Sequence, residues 1–446
     1  MRAALVLILT AAIAIITFRD AFYGALAILA TFVLFPVVVE QTYGYFYYFH
    51  IPQVLYAVTL LSVLAAGKRY LPRLAPRALP DWGMVAFLLA MTASSIANGD
   101  DPFTNRRVAL FFKATVLYFL LSRTADSPKK VLAIVWVIAL SAIYLAFISW
   151  RKYRTGEVSY ARPAIWMSIH EFGMELVIAL PMVGALIRRV RLPLKFLLLG
   201  CVGLIVLVGL RTQSRSTYLG LGVGLVMLGW YHRKRPALLI PALLLVSYAV
   251  LHNPERVLLR LQSIWTHRTP TGEVDRSIES RFAQMDVALR VFKSNPLLGI
   301  GPHRFFETYL DWAGERQAGF LGGRYNMHSV PLLILAEEGL AGILTYYGLL
   351  MLGSFLTVVK IARLTRGKPE MEALAVAGAA GSMSFVAFLA YGLGQPSMWQ
   401  ISIYGTVALV SAAEYCALAM AQERETPQET EVDFARPQPA TEVVFS

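Results

Sequence analysis

The feature that most constrains this chain is a series of apolar blocks too long for a water-exposed fold. Residues 194–210 carry one charge, Lys195, and residues 238–251 carry none. Crossing a hydrocarbon core as helix takes roughly 20 mostly apolar residues. In lipid every backbone N–H and C=O must be bonded within the structure, which leaves helices or closed barrels. Barrel strands are short and alternate in polarity, whereas these blocks are apolar at consecutive positions. With 57% hydrophobic residues overall, the chain is expected to be an all-α polytopic integral membrane protein. The candidate spans are about 3–18, 21–39, 51–66, 82–97, 107–121, 131–150, 172–187, 194–210, 216–231, 236–251, 330–359, 371–391 and 398–420. The count is about twelve or thirteen, because the first two are parted only by Arg19 and Asp20 and can form a hairpin that does not fully cross. No small-residue cleavage site follows the first block, so it reads as a retained span and not as a removed signal. Cys201 and Cys416 both lie in apolar blocks, which excludes a disulfide framework or a cysteine metal site.

Short basic loops orient the spans. Clusters around Lys68 and Arg77, Arg123 and Lys130, Arg188 and Lys195, Arg233 and Arg235, and Lys360 and Lys368 fall on one side if the spans alternate. That side is cytoplasmic by the positive-inside rule. Four regions follow: N-terminal transmembrane helices in 1–251, a large periplasmic loop in 252–328, C-terminal transmembrane helices in 329–421, and an acidic cytoplasmic tail in 422–446 expected to be disordered. The large loop holds ten arginines and lysines, which long loops are permitted but topology does not explain. A basic outer surface suits an anionic ligand; the plainer alternative is contact with lipid headgroups. No nucleic-acid partner is expected. Within the loop, Ile278, Phe282, Met285, Leu289 and Phe292 recur at helical spacing, predicting a helix over 277–294 capped by Asp275 or Ser277 and ended by Asn295-Pro296. Arg281 lies beside that apolar stripe, on the side where a lipid-linked phosphate would sit.

Two stretches can carry chemistry. Arg211-Thr212-Gln213-Ser214-Arg215-Ser216 interrupts two apolar blocks at the same outer side. If a helix begins within it, Arg211 and Arg215 share a face near the N-terminus, where the helix dipole and free N–H groups also favour an anion. Arginine pairs with phosphate through planar double hydrogen bonds and keeps its charge; the alternative is snorkelling to headgroups. Asn326-Met327-His328-Ser329 then opens another block, with Glu337 and Glu338 about two to three turns deeper. Imidazole titrates near neutrality and can take a proton from a hydroxyl, although a lone histidine at a helix start is also a common cap. Carboxylates at such depth face a cavity or pair with a cation, so Glu337 and Glu338 are possible orienting groups. Arg162 reads equally as a phosphate contact or a surface charge. Gly299-Ile300-Gly301-Pro302-His303 lacks nucleotide-binding spacing and reads as a turn that positions the loop helix. His170-Glu171 lacks the second histidine of a zinc motif, since position 174 is Met. No metal or other cofactor is expected.

At these residues the chain resembles the O-antigen ligase and O-antigen polymerase superfamily, including the O-glycosylation ligases associated with exosortases. The resemblance rests on Ser214-Arg215-Ser216 at the head of a span, on Asn295-Pro296-Leu297-Leu298-Gly299-Ile300-Gly301, and on His328-Ser329 followed by Glu338-Gly339-Leu340-Ala341-Gly342. It implies transfer of a glycan from an undecaprenyl-pyrophosphate carrier to lipid A core, a glycan or a protein, at the periplasmic face of a bacterial inner membrane, without metal or nucleotide. The family's essential arginines and histidine would fall on Arg215, Arg281 and His328, with Arg211 and Arg162 as further pyrophosphate contacts. The chain departs from the family pattern at Ile169-His170-Glu171-Phe172-Gly173, which weakens the transfer to Arg162. Polymerase and ligase share the donor and differ in acceptor. A rival of another class, a transporter or lipid-linked sugar flippase, would share the span count, but no internal repeat is evident and the ionisable residues gather at one surface.

Overall fold

The computed structural model describes residues 2–425 apart from 43, 45–48, 71–72, 165–166, 235–275, 315–326, 397 and 399. The described residues are helical, with no strand among them. In chain order the helices are α1 (Arg2–Arg19), α2 (Ala21–Gln41), α3 (Ile51–Ala65), α4 (Leu79–Ala97), α5 (Arg106–Thr124), α6 (Pro128–Arg154), α7 (Ile169–Leu186), α8 (Leu192–Arg211), α9 (Arg215–Tyr231), α10 (Arg276–Ser294), α11 (Arg304–Trp312), α12 (Val330–Glu337), α13 (Gly339–Ile343), α14 (Gly353–Thr365), α15 (Glu372–Gly392) and α16 (Ile401–Glu425). Local chemistry sets many of the starts. Prolines occupy the first turn of α3, α4, α6, α8 and α12, where the missing N–H would have had no helical partner. Asn105 and Ser127 cap α5 and α6, and Ser168 with Glu171 forms a reciprocal capping box on α7.

Seven helices among the described residues are long and apolar enough to cross a membrane: Leu79–Ala97, Pro128–Arg154, Ile169–Leu186, Leu192–Arg211, Gly339–Thr365, Pro369–Gly392 and Ile401–Glu423. The chain is thus a polytopic membrane protein. The expected count of about twelve or thirteen is higher for physical reasons. Helix α5 carries Arg106, Arg107, Lys113 and Arg123, α9 is only 17 residues long, and α3 has only 15. The expected span at 236–251 and the Asp275 cap lie outside the described residues. The loop helix appears as α10 within one residue of expectation.

Helices α7, α9 and α15 pack on one another at the centre. A Cβ at Gly220 of α9 would stand 2.8 Å from Val177 of α7, so small residues are what let these axes approach. One end of the bundle is tied by a buried charge network. Arg123 meets Asp81 at 2.6 Å with side chains 1% and 0% exposed, Tyr415 donates to Asp81 at 2.6 Å, Tyr118 donates to it as well, and Arg123 lies 4.1 Å above the Tyr415 ring. This joins α4, α5 and α16.

The expected span at 330–359 is not one helix. Helix α12 ends at Glu337, Gly339 takes a left-handed conformation at φ 64°, and the chain then runs through α13, a π-helical stretch Leu344–Leu352 and α14. The break receives the segment that follows α10. Ile300 N–H donates to Ala336 O at 3.0 Å and Gly301 N–H to Glu337 O at 2.9 Å, while Leu340 and Ala341 N–H groups donate to Pro296 O and Leu297 O at 2.9 and 3.1 Å. Ser94 of α4 donates to Glu337 O at 2.8 Å, and Asn98 donates to Gly299 O at 3.1 Å. Backbone groups freed by the break are thereby satisfied by a second segment, as burial requires.

Gly339→Ala should lower the unfolding midpoint of the detergent-solubilised protein, by at least the ~1–2 kcal/mol that a left-handed backbone costs a residue with a Cβ, because that atom would also stand 2.6 Å from the Leu297 backbone. Gly348→Ala, where a Cβ meets nothing within 4 Å, is the control and should leave it unchanged. Asp81→Ala strands the buried Arg123 charge and should cost about 3–5 kcal/mol in the same thermal or denaturant titration.

Candidate functional site

The turn between α8 and α9 sets the first functional side chain. Thr212 closes α8, Gln213 is left-handed at φ 55°, and the Ser214 hydroxyl accepts from Thr217 N–H as the cap of α9. Arg215 is therefore the first residue of α9 while Arg211 is the last of α8. The expected sharing of one helical face by these two arginines does not hold, because the left-handed residue between them ends one helix and starts another. Arg211 instead lies 5.7 Å from the centre of the Tyr153 ring.

Arg215, Arg281 and His328 come together. They line one cavity of about 380 Å³ with Ser216, Leu219, Phe282, Gln284, Met285, Met327, Ser329, Leu332, Leu393 and Gly394. The wall is mostly apolar, with the cations and the imidazole set into it. Four segments meet here: the start of α9, the first half of α10, the residues before α12, and the turn after α15. Gly394 in that turn is needed for close approach, since a Cβ there would stand 2.4 Å from the Ser216 hydroxyl and 3.8 Å from an Arg281 Nη1. Docking of the 296–301 segment into the α12–α13 break is what lays α10 against α12 and so carries Arg281 to His328.

His328 is held from two sides. Its backbone N–H donates to Gln284 Oε1 at 3.1 Å, and its Nδ1–H donates to Gln395 Oε1 at 3.2 Å. Gln284 is 0% and Gln395 1% exposed, so both partners are shielded from solvent. With the proton on Nδ1, Nε2 keeps its lone pair. Burial, and then the Arg281 charge, hold the His328 pKa below its ordinary value of 6.5. The ring is therefore neutral at pH 7 and competent to accept a proton. The His170 ring stands 6.2 Å from that of His328, edge to face.

The remaining expected residues lie elsewhere. Neither Arg211 nor Arg162 lines the cavity; the residue before Arg162 is tied to the α8–α9 turn by Ala161 N–H donating to Arg211 O at 3.2 Å. The Glu337 carboxylate accepts from Phe305 N–H at 3.2 Å and so holds the loop segment, Glu338 is buried at the helix break, and neither lines the cavity. Gln284, Gln395 and His170 were not read from sequence as site residues. Gln284 was within reach, since it follows Arg281 by three positions and shares its face of α10; Gln395 and His170 come from distant segments without local signal. A larger cavity of about 640 Å³, lined by Arg188, Lys195, His232 and Arg233, contains none of the three converging residues, and His232 there is engaged with the Gly184 carbonyl at 3.0 Å.

Residues 200–347 match the O-antigen ligase family. No curated protein matches the chain. The matched segment contains Arg215, Gln284, Arg281 and His328, whereas His170, Gly394 and Gln395, which complete the surroundings of His328, lie outside it.

Activity that depends on neutral His328 is lost as pH falls through its depressed pKa. The acid limb of the pH–rate profile should therefore lie below the ordinary histidine value of about 6.5. Arg281→Gln removes one of the two depressing causes and should move the limb of the residual activity upward; measuring kcat/KM between pH 5 and pH 8 checks both statements.

Proposed function

We propose that this protein transfers a glycan from an undecaprenyl-pyrophosphate carrier to an acceptor hydroxyl at the periplasmic face of a bacterial inner membrane, as an O-antigen ligase. The observation that carries the reading is the convergence of Arg215, Arg281 and His328 on one cavity with an apolar wall. Leu219, Phe282, Met285, Leu332 and Leu393 suit the first isoprenes of the carrier, and the two guanidinium groups suit its diphosphate. Acceptors that fit the chemistry are the hydroxyl groups of lipid A core, of a glycan or of a protein.

The acceptor hydroxyl attacks the anomeric carbon and forms the new glycosidic C–O bond, and its proton passes to Nε2 of His328. The bond from that carbon to the pyrophosphate oxygen breaks, its electron pair leaving with the diphosphate. Arg215 and Arg281 stabilise the charge that develops there, which is where fixed cations in a low-dielectric site act most strongly. Gln395 holds the imidazole in the tautomer that can act as base, and Gln284 fixes the backbone beside it. A single displacement inverts the configuration at the anomeric carbon.

His328→Ala should lower kcat by ~10²–10⁴, the ordinary contribution of a general base, while the affinity for lipid-linked donor stays near wild type. Arg215→Ala should cost ~10²–10³ in kcat and weaken donor binding too. Arg215→Lys should recover only part of it, because an ammonium lacks the planar pair of donors. Transfer assays with purified protein, lipid-linked glycan and each acceptor in turn check these values. Wild-type turnover by the His328 variant, or product NMR showing retained configuration, would overturn the mechanism.

A further inference from the structure

The cavity of about 640 Å³ lies at the other end of the bundle from His328. Helices α7 and α9 both start beside the first cavity, with His170 and Arg215. Both end at this one, with Ile187 and Arg188 after α7 and the stretch from Trp230 to Lys234 at the close of α9 in its wall. At 1.5 Å per residue, helices of 18 and 17 residues hold the two sites about 25 Å apart, close to the thickness of a hydrocarbon core. The donor chemistry above uses none of the residues at this end.

The lining has an apolar side and a cationic side. Ile187, Met227, Trp230, Ala379 and Met383 form the first, and Arg188, Lys195, Arg233 and Lys234 bring positive charge from the ends of α7 and α9 and the start of α8. Glu372 is the one carboxylate among the described lining residues, and Arg189 engages it at 2.7 Å, so the wall does not neutralise its own cations. Arg188 lies 4.9 Å from the centre of the Tyr231 ring and within reach of its hydroxyl. Arg233 lies 4.9 Å from the Trp230 ring and donates to the Trp230 carbonyl at 3.3 Å. A guanidinium has five N–H donors, so these contacts leave most of them for an anion. Lys195 and Lys234 have no ion-pair partner among the described residues. Lys195 stands in the first turn of α8, which holds no acidic residue, where a cation faces the positive end of the helix dipole; an anion in the cavity offsets that repulsion. Arg188, Trp230, Arg233 and Lys234 are exposed, so the mouth is on the outer surface of the bundle, and Trp230 is the side chain enriched where headgroups meet hydrocarbon. A free inorganic anion would use the cations alone, whereas a lipid uses both sides.

We infer that this cavity seats the phosphate of an anionic phospholipid from the cytoplasmic leaflet, with Arg188, Lys195, Arg233 and Lys234 around the phosphate and the acyl chains against Met227 and Trp230. The positive-inside rule puts this basic end in the cytoplasm, and basic pockets between helices on that side suit acidic headgroups. A zwitterionic lipid brings a cation of its own, which the four like charges repel. Bound lipid bridges the ends of α7, α8 and α9 and so holds the bundle together at the end remote from His328. The inference stands apart from the transfer reaction proposed above.

The experiment titrates the full chain, purified in neutral detergent and stripped of lipid, with dioleoylphosphatidylglycerol, dioleoylphosphatidylcholine and inorganic phosphate. Native mass spectrometry reads bound lipid, and thermal unfolding is followed in parallel. Phosphatidylglycerol should stay bound and raise the unfolding midpoint, because a ligand of the folded state alone stabilises it. Lys195→Gln combined with Lys234→Gln should weaken its Kd roughly tenfold or more, at about fivefold for each charge removed near the membrane surface. Glu372→Gln should tighten binding, because the carboxylate goes and Arg189 is released; damage to the fold would not produce a change of that sign. Arg363→Gln removes an exposed charge on α14 that is not part of the lining and should leave Kd unchanged. Equal binding of phosphatidylcholine, an unaltered Kd in the double lysine variant, or full stabilisation by inorganic phosphate alone would overturn the inference.

Discussion

The candidate site depends on one backbone junction. Helix α12 stops at Glu337, and the 296–301 segment fills the break with four N–H···O=C bonds between loop and helix. The fit is steric as well as polar. Gly299 and Gly339 both have φ of 64°, and a Cβ on either would overlap backbone of the other segment at 2.4–2.6 Å. Because α10 leads directly into this segment and His328 directly precedes α12, the junction fixes the distance between the loop helix and the histidine. A broken helix at membrane depth is tolerable only when another part of the protein satisfies the freed groups, and here the element that does so also carries Arg281.

The rest of the bundle keeps that junction in place. Helix α4 touches it through Ser94 and Asn98 at one end and is held through Asp81 in the buried charge network at the other. Both ends of α4 are thus specified by polar contacts, where apolar packing against lipid would specify neither. The close trio of α7, α9 and α15 then places His170, Arg215 and Gly394 around the same point. Tyr391 of α15 donates to the His170 carbonyl, which ties the start of α7 to the turn that carries Gln395.

Electrostatically the surroundings of His328 keep its ring neutral at pH 7. Burial, and then the Arg281 charge, depress the His328 pKa. With the Gln395 amide oxygen as its partner, Nδ1 is the ring nitrogen that bears the proton. Carboxylates take no part in the first cavity. Glu337 is engaged by the loop backbone, Glu171 by the start of its own helix, and Glu175 by the Ser402 hydroxyl.

The sequence by itself determined the class of fold and pointed to candidate residues for the site. Long apolar blocks compel helices in lipid, and helical spacing placed the loop helix within one residue of its observed start. The resemblance at Arg215, Arg281 and His328 picked out three residues that line one cavity. What it left undecided was everything that depends on two distant segments meeting. The α12–α13 break is invisible to hydropathy because both halves are apolar; it arises from backbone pairing with residues about forty positions earlier. Arg211 and Arg215 part company because Gln213 adopts a left-handed turn, a local conformation that four-residue spacing does not report. The places of Gln395 and His170 beside His328 are products of helix packing alone. Periodicity along a chain records which face of a helix is apolar, whereas the position of a partner across the bundle is set by the tertiary contacts that bring the faces together.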